Sequence, residues 1–435
     1  MSAALNEENV HDVLGIGFGP SNLALAIAVE EHNRTASAAE KLDAVFFERQ
    51  ETFGWHRGML IEGTTMQVSY LKDLVTMRNP ASDFSFLSYL HDKDRLTDFI
   101  NHKTLFPTRV EYHDYLEWAA ARMSDRVHYD SEVVELHPAG EHFEVVVRHG
   151  GRLAVHRARN IVLATGLEAH VPEGAELGAR VWHNLELMHR VPELAEAPPR
   201  RCVVVGAGQS AAEVVDYLHR TFTDAEVCAV FGRYGYSPAD DSPFANRIFD
   251  PQAVDDFFAS SPEFRAKLMN YHRNTNYSVV DLDLIEELYA RSYQEKVTGK
   301  QRLRIMHATG LADTEVRPDG ATVTAEFQPT GEREVLEADL LIYATGCRSR
   351  DPYRLLGETA RHCAWDAEGN LEIERDYRIR TTEPLPGSIY LQGGTEHTHG
   401  ITSSLLSNGA VRAGEIRDSL LARRSTRTRN YALTS

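Results

Sequence analysis

Two short glycine-rich segments carry the first chemical signal. Gly15-Ile16-Gly17-Phe18-Gly19-Pro20-Ser21 and Gly206-Ala207-Gly208-Gln209-Ser210-Ala211 each follow an apolar run and open an apolar helical pattern. Small residues in that position let the backbone approach a pyrophosphate, whose charge meets the helix N-terminus. The third glycine of the dinucleotide-binding pattern is replaced by Pro20 in the first segment and by Ala211 in the second. Proline suits a first helical turn, so the anion site survives the change. The strands that follow end differently. Ala44-Val45-Phe46-Phe47-Glu48 ends in a carboxylate able to bond ribose hydroxyls, although it lies 33 residues after Gly15, with the polar stretch 34–41 holding the excess over the usual spacing of ~20. The strand over 226–231 runs into Gly232-Arg233, where a guanidinium fits a 2′-phosphate that an acid would repel. An acid-tipped first site and an arginine-tipped second site are the arrangement of FAD followed by NADPH. Cys202, Cys228, Cys347 and Cys363 form no Cys-x-x-Cys and no zinc-like cluster, so no redox disulfide intervenes and electrons pass directly from nicotinamide to flavin. All four cysteines read as buried apolar thiols.

The elements that must hold these residues are legible as apolar runs ending in glycine: Val13-Leu14-Gly15, Ile161-Val162-Leu163-Ala164-Thr165-Gly166, Cys202-Val203-Val204-Val205-Gly206 and Leu340-Leu341-Ile342-Tyr343-Ala344-Thr345-Gly346. Helical patterns over 22–31 and 211–220 alternate with them. The fold class is therefore α/β, with two Rossmann-like dinucleotide-binding domains and a smaller, mostly helical substrate-binding insertion. The expected division is 1–196 for the first part of the FAD-binding domain, 197–240 for the first part of the NADPH-binding domain, 241–301 for the insertion, 302–348 for the rest of the NADPH-binding domain, and 349–435 for the rest of the FAD-binding domain, with a flexible tail from 423. Helices are expected over 255–269 and 282–296, and a hairpin over 318–333 around Asp319-Gly320. A length of 435 residues, 42% hydrophobic and 25% charged, accommodates these units. With 64 acidic and 46 basic residues the net charge is −18, which argues against a nucleic-acid partner and against docking on anionic lipid. The opening MSAALNEENVHD has no apolar leader core and no stretch has bilayer-spanning apolar length, so no membrane association and a cytoplasmic location are expected.

Further segments resemble a known family. Phe53-Gly54-Trp55-His56-Arg57-Gly58-Met59, Tyr70-Leu71-Lys72-Asp73-Leu74-Val75-Thr76, Phe84-Ser85-Phe86-Leu87-Ser88-Tyr89-Leu90, Phe106-Pro107-Thr108-Arg109, Asn276-Tyr277-Ser278-Val279-Val280 and the run from His399-Gly400 to Ser407 are similar to the signature segments of the microbial amine N-hydroxylating flavin monooxygenases. These are the L-ornithine N5- and L-lysine N6-hydroxylases of siderophore biosynthesis. The resemblance covers almost the whole chain, and Pro20 is itself typical of the family. It implies that Lys72 pairs with the α-carboxylate of a bound amino acid, and that Asn246 and Asn276 offer neutral amides to its α-amino and carboxylate groups. Neutrality matters because a carboxylate beside the side-chain amine would hold it as ammonium, whereas the free amine is the nucleophile. It further implies that Gln67 lies near flavin and nicotinamide, that Trp55 and His56 border the flavin, and that the segment with Ser404 and Leu405 closes the pocket against substrate and FAD. The helix beyond Ser407 would direct its positive end at the flavin pyrimidine. His397 and His399 have no evident third ligand, so no metal is expected.

The activity so implied is FAD- and NADPH-dependent hydroxylation of a terminal amine. Dioxygen adds to reduced flavin, and the amine attacks the distal oxygen of the C4a-hydroperoxyflavin; no side chain is assigned as catalytic acid or base. The segment 106–123 resembles that of the actinobacterial ornithine enzymes, which selects L-ornithine, with L-lysine as the alternative one methylene longer. The family also implies a homo-oligomer, with the tetramer as a frequent form. Two other classes share these sequence features. A Baeyer–Villiger or sulfur-oxidising monooxygenase would use the same cofactors, but Val181-Trp182-His183-Asn184 lacks that class's fuller pattern; a noncatalytic NADPH/flavin-binding sensor would bind nucleotide without forming hydroxylamine.

Overall fold

A computed structural model describes the backbone of residues 9–434, with side chains described through Ser425. The first eight residues, on which part of the leader reading rests, lie outside the described residues. Strand β1 (Val10–Ile16) leads through residues 17–19 into helix α1 (Pro20–Thr35), and β2 (Ala44–Phe47) returns parallel to β1. Helix α2 (Arg109–Ala121) starts where the Thr108 hydroxyl accepts from the Glu111 N–H, satisfying a first-turn donor. Strand β3 (Arg152–Leu163) pairs parallel to β1 on its other side, and Ile389–Leu391 joins β3 from near the end of the chain. Two antiparallel strands, Ser131–Ala139 and His142–His149, extend the sheet, which is thus mixed. The two-residue period of the strands decides the packing. Val13, Phe46 and Val162 face α1, whereas Leu14, Val45 and Ile161 face an opposite core with Phe143 and Leu356.

The second sheet is wholly parallel. It contains β4 (Arg201–Val205), followed by α3 (Gln209–Thr221), then β5 (Glu226–Val230), Leu303–Met306, and further along the chain Leu340–Tyr343. Its fifth strand is Val181–His183, paired to Leu340–Tyr343. That strand precedes the expected boundary at 196, so the second nucleotide unit recruits chain from before it. Cys202 and Val204 pack toward α3, while Val203, Cys228 and Val230 pack on a three-stranded antiparallel sheet of Thr309–Arg317, Gly320–Phe327 and Glu332–Ala338. The expected hairpin is the first turn of that sheet, with Arg317 paired to Gly320.

Three expectations need correction. The single helix over 255–269 is two helices, Pro251–Ala259 and Pro262–Tyr271, because Ser261 caps the second and Pro262 has no N–H with which to continue the first. The last helix of the insertion, α4 (Leu282–Thr298), is fastened to the second nucleotide unit. Its Leu288 and Ile285 enter the α3 core, Arg291 meets Asp216 at 2.5 Å, and Glu295 meets His219 at 2.6 Å. The tail expected from 423 continues helix α5 (Gly409–Thr434), which packs along α1. Finally, only three cysteines are buried. Cys347 is exposed because it lies on a two-stranded ladder with Leu167–Ala169 outside both main sheets. Among the described residues no helix is long and apolar enough to cross a membrane.

Candidate active site

The two glycine loops share one construction. At Gly17, held at φ +84°, a Cβ would run into the carbonyl oxygen of Ala164; at Gly206 it would run into that of Ala344. Those alanines open the two Ala-Thr-Gly segments, so each crossing segment packs directly on a glycine loop and a side chain there would push them apart. Neither α1 nor α3 has a side-chain cap or an acid in its first turn, which leaves the first N–H groups of both helices to an anion. Gly208 is the residue before α3, and Gln209 and Ser210 are its first two residues. Gly19 is extended, and a Cβ built on it would meet no protein atom within 4 Å. Glu48 is buried just beyond β2, its Oε2 accepting from the Phe18 N–H at 2.7 Å and its Oε1 from the Gln50 N–H at 2.9 Å. One lone pair on each oxygen remains for a ribose, and the long spacing from Gly15 has not moved the carboxylate away from the loop.

Arg233 follows β5, and its Nη1 donates to the Ser278 carbonyl at 2.7 Å. Ser278 in turn abuts the second loop, its Cα lying 3.4 Å from where a Gly208 Cβ would be. The segment carrying Asn276 is therefore seated on the second nucleotide loop. The Tyr277 hydroxyl donates to Glu396, and burial together with this contact drives the phenol pKa upward, with Asn276 acting the other way. Lys72 stands 5.9 Å from the centre of the Phe249 ring. Phe249 ends the short helical turn Ala245–Phe249 that carries Asn246, and this turn packs on Ile401–Ser404. Lys72, Asn246 and the exposed Ser404 thus lie along one rim. Asn246 commits its Nδ2 to the Asp241 carbonyl at 2.8 Å and keeps its Oδ1. A carboxylate, Glu396, is engaged by the hydroxyl of Tyr277, the residue after Asn276.

The Trp55 ring meets His56 and Tyr112 edge-on, and the Trp55 backbone N–H donates to His113 Nε2 at 3.4 Å. His56 has a left-handed backbone, φ +48°, and burial, reinforced by nearby Arg109, pushes its pKa down to about 4, so the ring is neutral at neutral pH. Leu405 is half-buried, its N–H donating to Thr402. His397 and His399 bond the carbonyls of Leu371 and Arg375, and among the described residues no group of three metal ligands occurs.

Sequence reasoning missed a cluster at the start of α5. Ser407 Oγ, both amide atoms of Asn408, Gln392 Oε1 and Arg412 Nε are buried and have no hydrogen-bond partner in the protein. Arg412, 3% exposed, donates to the Ser403 carbonyl at 2.6 Å and to Ser21 Oγ at 3.3 Å, which ties α5 to the first loop. Each such orphan costs about 1–3 kcal/mol unless a ligand meets it, so this cradle fits a polar group continuous with the first nucleotide site.

Residues 9–349 match the family model described as L-lysine 6-monooxygenase/L-ornithine 5-monooxygenase. The chain belongs to that family. An ornithine N-hydroxylase of Kutzneria sp. 744, solved with reduced FAD, NADP+ and L-ornithine, is 46% identical with a TM-score of 0.91, over 96% of this chain and 100% of that one. The L-ornithine N(5)-monooxygenase of Pseudomonas aeruginosa is 37% identical over 97% of this chain and 96% of its own length. The L-lysine 6-monooxygenase of Pseudomonas syringae is 32% identical with a TM-score of 0.83, over 94% and 99%.

In this family member the two nucleotide units are joined by a polar chain that no motif announced. Arg109, at the start of α2, forms a bidentate pair with Glu213 of α3 at 2.9 and 2.7 Å and also donates to the Met59 carbonyl. Gln209 Nε2 donates to Glu213 and to Asp281, both at 3.0 Å, and Gln67 Nε2 donates to the other Asp281 oxygen at 3.2 Å. The only sequence signal was the presence of Arg109 and Gln209 inside motifs already singled out, and of Gln67 between two of them.

Proposed function

We propose that this protein hydroxylates the side-chain amine of L-ornithine to N5-hydroxyornithine, using FAD, NADPH and dioxygen, for a siderophore or related peptide natural product. The observation that carries the reading is Lys72. Among the described residues its ammonium enters no ion pair, although it shares a rim with Asn246 and Ser404 beside the loop that leads into α5. A cation with no carboxylate partner there suits the α-carboxylate of an amino acid, and Asn246 Oδ1 suits the α-ammonium. Bound FAD and NADPH supply the electrons and the activated oxygen. The chain's own part is to hold the two nucleotides, through residues 15–21, Glu48 and the Arg412 cradle on one side and residues 206–210 with Arg233 on the other. It also seats the amino acid across Lys72, Asn246 and Asn276, so that the reacting amine is oriented and water is kept away. Tyr277 occupies Glu396, which limits the capacity of that carboxylate to hold the amine protonated.

The test is a hydroxylamine assay with FAD and NADPH, comparing ornithine, lysine and putrescine. Ornithine should give product in proportion to NADPH consumed, with lysine weaker. Lys72→Ala should raise the ornithine KM by about 10- to 100-fold while flavin reduction by NADPH is kept. Equal hydrogen peroxide release with every amine and no hydroxylated product would instead mark a nucleotide-binding protein without this chemistry, and preference for lysine would move the assignment to the N6-hydroxylase.

We also place the protein in the cytoplasm as a homo-oligomer, a tetramer in the simplest arrangement. Two exposed apolar patches support assembly: Ile100, Leu105, Phe106 and Val110 on one unit, and Tyr289, Tyr293 and Val297 along α4 on the other. Light scattering should give a mass well above 48.9 kDa, and a monomeric mass would reject the assembly.

A further inference from the structure

The seam between the two nucleotide units has one feature that the substrate and cofactor assignments leave unused. Asp281, the residue before α4, accepts from Gln67 Nε2 on one carboxylate oxygen and from Gln209 Nε2 on the other, while its N–H donates to Gln209 Oε1 at 2.8 Å. Gln67 comes from the FAD side and Gln209 from the NADPH loop, so the carboxylate joins the two sides across which hydride must pass. The bonding fixes both amides. An ionised carboxylate only accepts, so each amide nitrogen faces Asp281, and Gln67 keeps its Oε1 as an acceptor for an N–H donor. The charges do not cancel. Arg109 and Glu213 neutralise one another at 2.7 Å, whereas Asp281 has no ion-pair partner among the described residues. Burial and the neighbouring Glu213 accordingly hold the Asp281 pKa above its ordinary value, with Gln67 and Arg109 acting the other way.

We propose that Asp281 is a positioning residue of the reductive half-reaction: it orients Gln67 and Gln209 at the nicotinamide end of the coenzyme, and its uncompensated negative charge favours the bound oxidised coenzyme over the reduced one. The chemistry is simple. A dihydronicotinamide that gives its hydride to flavin becomes a pyridinium cation, and a carboxylate fixed in the seam stabilises the cation and not its neutral precursor. Gln67, presenting an acceptor, suits the N–H of the coenzyme carboxamide. The inference rests on the assignment of FAD and NADPH to the two loops.

The test uses the full-length holoenzyme carrying Asp281→Asn, Asp281→Glu or Gln67→Leu. Dissociation constants for NADP+ and NADPH are both measured on anaerobically reduced enzyme, so that neither coenzyme reacts. In Asp281→Asn the ratio of the NADP+ constant to the NADPH constant should rise about tenfold, the order of a single charge–charge interaction at an effective permittivity of about 20. Asp281→Glu should restore most of the ratio. Gln67→Leu, which keeps the charge, should leave the ratio near wild type and slow flavin reduction. Equal weakening of both coenzymes in Asp281→Asn, or a ratio that does not change, would reduce Asp281 to a scaffold residue and overturn the proposal. Wild-type enzyme whose flavin NADPH cannot reduce would instead reject the cofactor assignment beneath it.

Discussion

Gly19→Val should purify without flavin and yet melt at the temperature of the wild-type apoprotein. The two halves of that outcome come from one observation. A Cβ on Gly19 meets no protein atom within 4 Å, and the residue is extended at φ −83°, a conformation valine adopts readily. The protein itself therefore has no objection to a side chain there. The space belongs to whatever binds at the uncapped N-terminus of α1, and a pyrophosphate drawn to those N–H groups would meet the valine methyls. Gly17→Ala should behave in the opposite way. Its left-handed backbone and its contact with the Ala164 carbonyl make the substitution costly to the fold, by about 1–3 kcal/mol for the backbone alone. FAD titration followed by flavin fluorescence, beside thermal melts of the apoproteins, separates the two. If Gly19→Val retains wild-type FAD affinity, the first loop does not carry the pyrophosphate.

The contrast between these glycines also shows what a sequence can and cannot convey. Their presence, the strands before them and the helices after them were all legible, because strand, turn and helix are local and periodic. So was Glu48, whose place at the end of β2 survives a long insertion because the strand register, not the residue count, sets it. What the sequence concealed depended on distant pairs. The Ala-Thr-Gly segments could be recognised as strands, but not as the walls on which Gly17 and Gly206 rest. Arg412 lies 391 residues from Ser21, and nothing in an arginine on an amphipathic helix marks it as buried. Val181–His183 joined the second sheet against the expected boundary because a three-residue strand has too little pattern to declare its partner. The helix through Thr434 was misread for a related reason. Its charged composition resembles a loose tail when the packing of its earlier turns on α1 is unknown.

The join between the units yields the second large effect. Arg109→Leu should destabilise the protein by about 3–5 kcal/mol, because it strands the Glu213 carboxylate, only 2% exposed, without its cation. Glu213→Leu should cost a similar amount by stranding Arg109, itself 12% exposed. The double variant should recover much of the loss, since the expense of a buried pair lies in removing one partner rather than both. Recovery will be incomplete. Glu213 also receives Gln209, and Arg109 also donates to the Met59 carbonyl, so the double variant still frees one amide and one carbonyl. Urea unfolding of the four proteins closes the cycle, with the coupling between the two positions read directly. Additive losses would mean that the two charges act independently and that this pair does not hold the units together. A coupling of several kcal/mol would mean that this pair sets the alignment of the two nucleotide loops. In that case the single variants should also slow flavin reduction by NADPH more than they weaken the binding of either cofactor, because hydride transfer is far more sensitive to a small misplacement than affinity is.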